Sequence, residues 1–469
     1  MKSTLVSLAL LATLGILACG GEPVAATASE DTTAEDTTAE LAAPPQVAPS
    51  QHIKAIWVTR FDYASEADIS AVLDNVTEAG FNTVMWQVRG NATAFFDSPY
   101  EPWAEQLGGG DPTFDPGFDP LAVAVAGARE RGLSLHAWVN LMPAWWGLEP
   151  PANPLQLYNA HPEWLWVDQF GQQQPLSDKF YVSVNPCLPE VRAYLTDVVV
   201  DIARRYAVEG IHLDYVRFPK EFPGTPKEPP GIDYPRDART LALFTEALAE
   251  AGIDVTTAGL PGDAGGDVGG GPARGLGDGG EALLALPGIA EKWDQWRTNA
   301  VTETVRDIAA ALDTLERPPL LSAAVKATPS GGLEFHQDAE TWTRKSLVGA
   351  VFPMNYAREH EPFSQRNAAW MAELDAQRAR NEAETPGVAN PFGFQRTPLC
   401  IVGVWGGDDD PVLIQDRIRR ALNQADGVCL FAYAFLFDSV NAATADQNEA
   451  ESAKRERRRQ TLAPFLREL

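Results

Sequence analysis

The stretch Gly210-Ile211-His212-Leu213-Asp214-Tyr215-Val216-Arg217-Phe218-Pro219 alternates apolar Ile211 and Leu213 with polar His212 and Asp214. Side chains two apart on a strand share a face. Ile211 and Leu213 are therefore expected against covering helices, and His212 and Asp214 on the opposite face. Seven other apolar, β-branched or aromatic runs recur along the chain: Ile53–Thr59, Asn82–Arg89, Leu133–Asn140, Leu320–Lys326, Gly349–Asn355, Leu399–Val404 and Gly427–Tyr433. Helical spacing of apolar residues lies between them, over Glu66–Ala79, Pro120–Arg131, Leu188–Tyr206, Asp294–Leu315 and Pro411–Ala425. A charged stretch, Ala450–Leu462, predicts a terminal helix that stops before Pro464. Strands alternating with helices imply parallel pairing through helical crossovers, and a count of eight implies closure into an α/β fold of the (β/α)8 TIM-barrel type. The alternative is an open doubly wound sheet. That fold carries a Gly-rich phosphate turn after its first strand, where this chain has Arg60-Phe61-Asp62.

A barrel of this type places its active site at the C-terminal ends of its strands. An inward Asp214 there costs free energy unless it is paired or functional. In the third strand Leu135, Ala137 and Val139 face the helices, and His136, Trp138 and Asn140 face the axis. In the second, Met85, Gln87 and Arg89 share one face. Three neighbouring strands thus direct polar groups to one mouth. Each residue has a plainer reading: His136 and His212 as hydrogen-bonded core histidines, Arg89 as a structural partner of Asp214. Tryptophans are dense near these strand ends, and the Trp145-Trp146 pair is expected in a cleft, where aromatic faces can cover sugar rings.

Other chemistries fit the sequence less well. The six His residues show no metal-ligand spacing, so no metal or other cofactor is expected. There is no G-x-S-x-G elbow and no P-loop. The net charge of −27 argues against a nucleic-acid partner, because a polyanion repels phosphate backbones.

The N-terminus predicts export. Lys2 precedes the apolar run Leu5 to Leu17, which is too short to span a bilayer, and the run ends Ile16-Leu17-Ala18-Cys19-Gly20. This resembles a bacterial lipobox, with residues 1–19 as signal and Cys19 as the lipid-modified residue. A plain secretory signal cleaved near Ala18 is the alternative. Residues 20–50 are rich in Ala, Thr, Glu and Pro and read as a disordered acidic tether. The chain is thus expected in the bacterial cell envelope, anchored to an outer or extracellular membrane face. The barrel is expected over 51–469, interrupted by a Gly-rich mobile loop at 259–280. Cys187, Cys400 and Cys429 imply no disulfide framework. A Cys400–Cys429 bridge is conceivable from consecutive strands, but small buried hydrophobes is the preferred reading.

Several motifs in order carry a family resemblance. They are Ile53 to Thr59, Gly80 to Arg89, Phe118-Asp119-Pro120-Leu121, His136 to Asn140, His161-Pro162-Glu163-Trp164, Asn185-Pro186 and the Gly210–Pro219 peptide. Together they resemble the glycosyl-hydrolase-like family 10 of bacterial envelope proteins, over about Gln51 to Asp438. The resemblance implies a TIM barrel and hydrolysis of O-glycosidic bonds in a cell-wall or environmental polysaccharide. It carries over Asp214 as the catalytic carboxylate and suggests Arg89, His136, Asn140, His212 and Arg217 as cleft residues. Many members have a second Asp where this chain has Tyr215, and Asn140-Leu141-Met142 departs from their Asn-Pro-Tyr-Arg.

Trp138, Tyr215, Asn355, Tyr356 and Trp405, at or beside strand ends, join the candidate substrate contacts. Glycoside hydrolysis needs a second carboxyl, about 5–5.5 Å away for retention and about 6.5–9.5 Å for inversion. Glu359, after the sixth strand, is the first candidate and Glu334, after the fifth, the next. Asp62 and Glu101 also lie near strand ends. The competing expectation is a non-catalytic glycan-binding envelope lipoprotein on the same barrel.

Overall fold

The computed structural model describes residues 52–218, 232–255, 278–384, 398–439 and 445–469. Eight parallel strands close a barrel: β1 (Ile53–Val58), β2 (Thr83–Arg89), β3 (Ser134–Asn140), β6 (Gly210–Asp214), β7 (Leu320–Val325), β8 (Ala350–Pro353), β9 (Leu399–Trp405) and β10 (Gly427–Phe431). Closure is made by β1 against β10, from Ile53 opposite Gly427 to Ile56 opposite Leu430. β4 (Pro143–Gly147) and β5 (Ser177–Ser183) form a separate antiparallel pair that follows β3 in the chain.

The two faces of the barrel bury different residues. Val58, Trp86, Leu135, Val139, Ile211 and Leu213 pack outward, in one core with Ile69 and Leu73 of α1 (Glu66–Glu78) and Leu195 and Val199 of α4 (Pro189–Arg205). Trp57, Met85, Trp138, Phe352, Ile401 and Cys429 form a second core inside the barrel. The alternation read from β6 and β3 is thus the one observed. Burying each large apolar side chain contributes about 1.5–3 kcal/mol, so a one-residue slip of either strand would invert many such contributions.

Several helices begin where short polar side chains take the free amides of a first turn. Ser65 accepts from Asp68 N ahead of α1, and Asp119 accepts from Leu121 N and Ala122 N ahead of α2 (Pro120–Glu130). Asp410 does the same for α10 (Pro411–Gln424), whose first residue is a proline that needs no donor there.

The structure departs from expectation at several elements. α5 (Ala238–Glu250), α8 (Ala339–Arg344) and α9 (His360–Glu384) were not read from the sequence. α7 (Ile289–Leu312) begins five residues before Asp294. α11 (Ala445–Glu468) runs through Pro464. Pro464 removes one backbone donor near the helix end, while buried Leu462, Phe465 and Leu466 and the bond from Lys54 Nζ to Leu466 O (2.6 Å) hold the last turn. Cys400 and Cys429 are both free and buried. Cys400 packs outward and Cys429 inward, on opposite faces of the barrel wall, so they form no bridge. Of the Gly-rich run at 259–280, only Asp278-Gly279-Gly280 is described, and it begins α6 (Asp278–Leu284). The lipobox with Cys19 and the acidic stretch at 20–50 lie outside the described residues.

Candidate active site

Asp214 is the last residue of β6 and is buried. Its Oδ1 accepts from the Tyr215 amide at 2.6 Å and from Arg217 Nη1 at 3.0 Å. Tyr215 takes a left-handed φ of 50°, a conformation that costs a non-glycine residue about 1–3 kcal/mol unless its surroundings impose it. That turn carries the chain off the barrel while aiming the Tyr215 N–H back at Asp214. The turn also lets Arg217 pair with a carboxylate three residues earlier. The Arg217 guanidinium lies 4.6 Å from the centre of the Tyr215 ring, which in turn meets Tyr181 of β5 edge-on at 5.0 Å. Burial, then Tyr181 and Asp214, push the Tyr215 hydroxyl up from its usual range.

Two other elements reach the same charge. Lys326, just past β7, has its ammonium pushed down to about 8, by burial first and then by Arg217, with Glu334 and Asp214 opposing. The Lys326 Nζ sits 3.4 Å from the centre of the Phe335 ring. Tyr356, beyond β8, is raised well above its usual range by burial and then by Asp214. It contacts Trp405 (5.7 Å between ring centres) and Phe431 (5.9 Å). Trp405 and Phe431 stack at 5.7 Å. Asp214, Tyr215, Arg217, Lys326, Tyr356 and Tyr181 thus form one cluster at the C-terminal end of the barrel.

Other expected cleft residues are placed differently. Arg89 is fully buried and pairs with Glu101, not Asp214, at 2.7 Å. Its Nη1 donates to the carbonyls of Asn140, Leu141 (3.0 Å) and Pro143 (3.4 Å). It therefore ties β2 to the turn after β3, and Glu101 is its counter-ion. His212 is fully buried inside the barrel. Trp57 Nε1 donates to its Nε2 at 3.1 Å, and its Nδ1 lies 3.0 Å from Ser322 Oγ. With Nε2 accepting, Nδ1 carries the proton and donates to Ser322, so His212 is a satisfied core residue. Asn355 is fully buried too, donating to Phe363 O (2.8 Å) and Asn367 Oδ1 (2.7 Å), which secures the start of α9.

His136, Trp138 and Asn140 do line the inner face of β3, and each keeps one buried polar atom without a partner among the described residues: Nδ1, Nε1 and Oδ1 respectively. Burial holds the His136 imidazole down at about 4. His136 can lie there because residue 210 is glycine: a Cβ at that position would come within 2.2 Å of His136 Nδ1. Asn140 Nδ2 donates to Gly90 O at 3.1 Å.

Glu359 and Glu334 are both exposed. Glu334 acts on Lys326, as Asp214 does. The Trp145-Trp146 pair divides: Trp145 is buried with Nε1 donating to Glu149 O (2.8 Å), and Trp146 is 39% exposed.

Three residues in or beside the cluster were missed from the sequence. Lys326 was legible, since Ser322, Ala324 and Lys326 share the inward parity of their strand. Tyr181 was not, because its strand lies outside the eight-strand pattern. Arg60, just past β1, was read only as a residue unlike a phosphate turn; it is buried and donates from Nη1 to the Tyr181 hydroxyl at 3.2 Å.

Comparison with known proteins agrees with this architecture. The catalytic domain of a β-amylase from Paenibacillus polymyxa superposes with a TM-score of 0.50 at 11% identity, covering 86% of this chain and 98% of that domain, which speaks to the fold alone. The glycosyl hydrolase YngK of Bacillus subtilis is 27% identical over 188 residues, 37% of this chain and 35% of that protein. The glycosyl hydrolase DigH of Escherichia coli is 30% identical over 165 residues, 33% of this chain and 34% of that protein. The matched segments therefore span about a third of each of these relatives. A model of the family described as glycosyl hydrolase-like 10 matches residues 52–386, and the chain belongs to that family.

Proposed function

We propose that this protein is a glycoside hydrolase that cleaves O-glycosidic bonds in a polysaccharide, with Asp214 as its principal carboxylate. The observation that carries the reading is Asp214 itself. It is a buried acid at the C-terminal end of a barrel strand, held by the Tyr215 amide and Arg217 and surrounded by aromatic rings. Active sites in this architecture occupy that end of the strands. A carboxylate paired with a guanidinium suits the nucleophile or the stabiliser of an oxocarbenium-like transition state. Glu334 is the better candidate for the acid, because it and Asp214 act on the same ammonium, whereas Glu359 has no such link to the cluster. Tyr356 and Trp405 would cover apolar faces of the sugar.

The test is release of reducing ends from a panel of bacterial and plant polysaccharides. The wild type is expected to release them, and Asp214→Asn to lose 100-fold or more, as removal of a principal catalytic group does. Glu334→Gln should lose activity and Glu359→Gln should not. Full activity in Asp214→Asn would sink the assignment. Tyr215, standing where many relatives have a second Asp, favours one rival: a glycan-binding protein without catalysis. Binding without release by the wild type would establish that rival.

Cys19 is the proposed site of lipid attachment, which would place the barrel in the bacterial envelope on a membrane surface. Metabolic labelling with a radioactive fatty acid, present in the full chain and lost in Cys19→Ala, checks this.

A further inference from the structure

Arg60 is a buried cation. It follows β1 directly, is 2% exposed, and pairs with no carboxylate among the described residues. A buried guanidinium left without a counter-ion is costly, so such groups are normally paired or bind something charged. Its geometry is nevertheless well defined. The Arg60 amide donates to Gln87 Oε1 at 3.0 Å, which fixes the backbone. Nη1 donates to the Tyr181 hydroxyl. The Phe61 and Tyr181 rings lie 4.5 and 5.8 Å from the guanidinium carbon. Gly90 leaves it room, since a Cβ there would come within 2.2 Å of Nη1. Nε has no hydrogen-bond partner among the described residues.

This group belongs to the Asp214 cluster. Tyr181, which holds Nη1, meets Tyr215 edge-on, and the Tyr215 hydroxyl is acted on by Arg60, Arg217 and Asp214 together. With Lys326, the cluster brings three cations to one end of the barrel, in a chain whose net charge is −27. Arg217 has Asp214 as its partner, and Glu334 near Lys326 is exposed. Positive charge therefore gathers against the overall sign of the protein, and Arg60 is its fully buried member, with no carboxylate partner among the described residues.

We propose that Arg60 is a specificity-determining residue that binds a carboxylate carried by the sugar chain seated at Asp214. A planar carboxylate matches the guanidinium edge, which ring faces and one hydroxyl already orient. The inference rests on the glycoside hydrolase reading for its location but concerns recognition, not cleavage. The carboxylate could belong to a uronic acid or to a carboxyalkyl ether on an amino sugar.

The test is calorimetric binding to the full chain carrying Asp214→Asn, which prevents turnover. The probes are uronic-acid oligosaccharides, carboxyalkyl-ether amino-sugar oligosaccharides, and the carboxyl-reduced form of each. At least one acidic probe should bind about tenfold or more tighter than its reduced form, the scale of one charge-assisted hydrogen bond. Which acidic probe does so identifies the source. Adding Arg60→Gln should bring the ratio near one without weakening the reduced probe, and Arg60→Lys should restore part of it. Should Arg60→Gln fail to fold, Tyr181→Phe, which frees Nη1, is expected to lower the ratio. Equal affinity for acidic and reduced forms, binding of neither, or an unchanged ratio in Arg60→Gln would overturn the inference. Reducing-end release is a separate readout: binding with discrimination but no cleavage keeps Arg60 and sinks the hydrolase, and cleavage without discrimination does the reverse.

Discussion

Asp62 lies just beyond β1, buried, with Oδ2 accepting from the Thr59 amide (2.6 Å) and hydroxyl (2.8 Å). Burial outweighs these bonds and raises its carboxyl from 3.8 to about 6. Between those values the folded state keeps a proton that the unfolded chain has released, so this group lowers stability as pH rises through that window. Asp62→Asn should gain on the parent from pH of about 4 to about 6, by about 3 kcal/mol at most, and hold that gain above it. Urea unfolding of both proteins across that range measures it, and a pH-independent difference would refute it. His136 works in the opposite sense. Burial lowers it from 6.5 to about 4, so its contribution to stability is lost as pH falls through that range. His136→Gln should therefore lose less stability on acidification than the parent, by the same assay.

At the scale of elements, the turn after β3 depends on Arg89. Its pairing with Glu101 and its bonds to three carbonyls replace the regular ladder that ends there. Breaking a buried ion pair from one side strands the other charge, at about 3–5 kcal/mol. Arg89→Leu and Glu101→Leu should each lower the unfolding midpoint by that order. The double variant should cost less than their sum, which a double-mutant cycle in urea would show. Strand parity placed Arg89 and His212 on the inward faces of their strands. It could not say whether an inward polar group meets the open mouth or a buried partner. Glu101 and Ser322 settle that question, and they are contributed by other segments of the chain.

At the scale of the molecule, α11 completes the outer layer. Arg458 donates to Asp408 O (2.9 Å), Phe435 O (3.1 Å) and Gly407 O (3.0 Å), and Leu462 and Leu466 are fully buried. Gly80 shows how closely the helix approaches α1: a Cβ there would lie 2.9 Å from Arg467 atoms. Leu466→Ala should cost about 2–5 kcal/mol, as large-to-small changes in a core do, read as a lower thermal midpoint. A change within 0.5 kcal/mol, the range of surface substitutions, would mean the helix packs only loosely.

The sequence alone determined the barrel, because period-two alternation and its apolar interruptions are local properties that eight strands repeat. It also located Asp214, whose inward position follows from parity within a single strand. Only the tertiary structure decided which polar residues are matched. Arg89 finds Glu101 beyond its strand and His212 finds Trp57 and Ser322 on distant strands, while Arg60 finds a hydroxyl and two rings but, among the described residues, no acid. Pairing depends on distances between segments, and those distances come into being when β1 closes on β10.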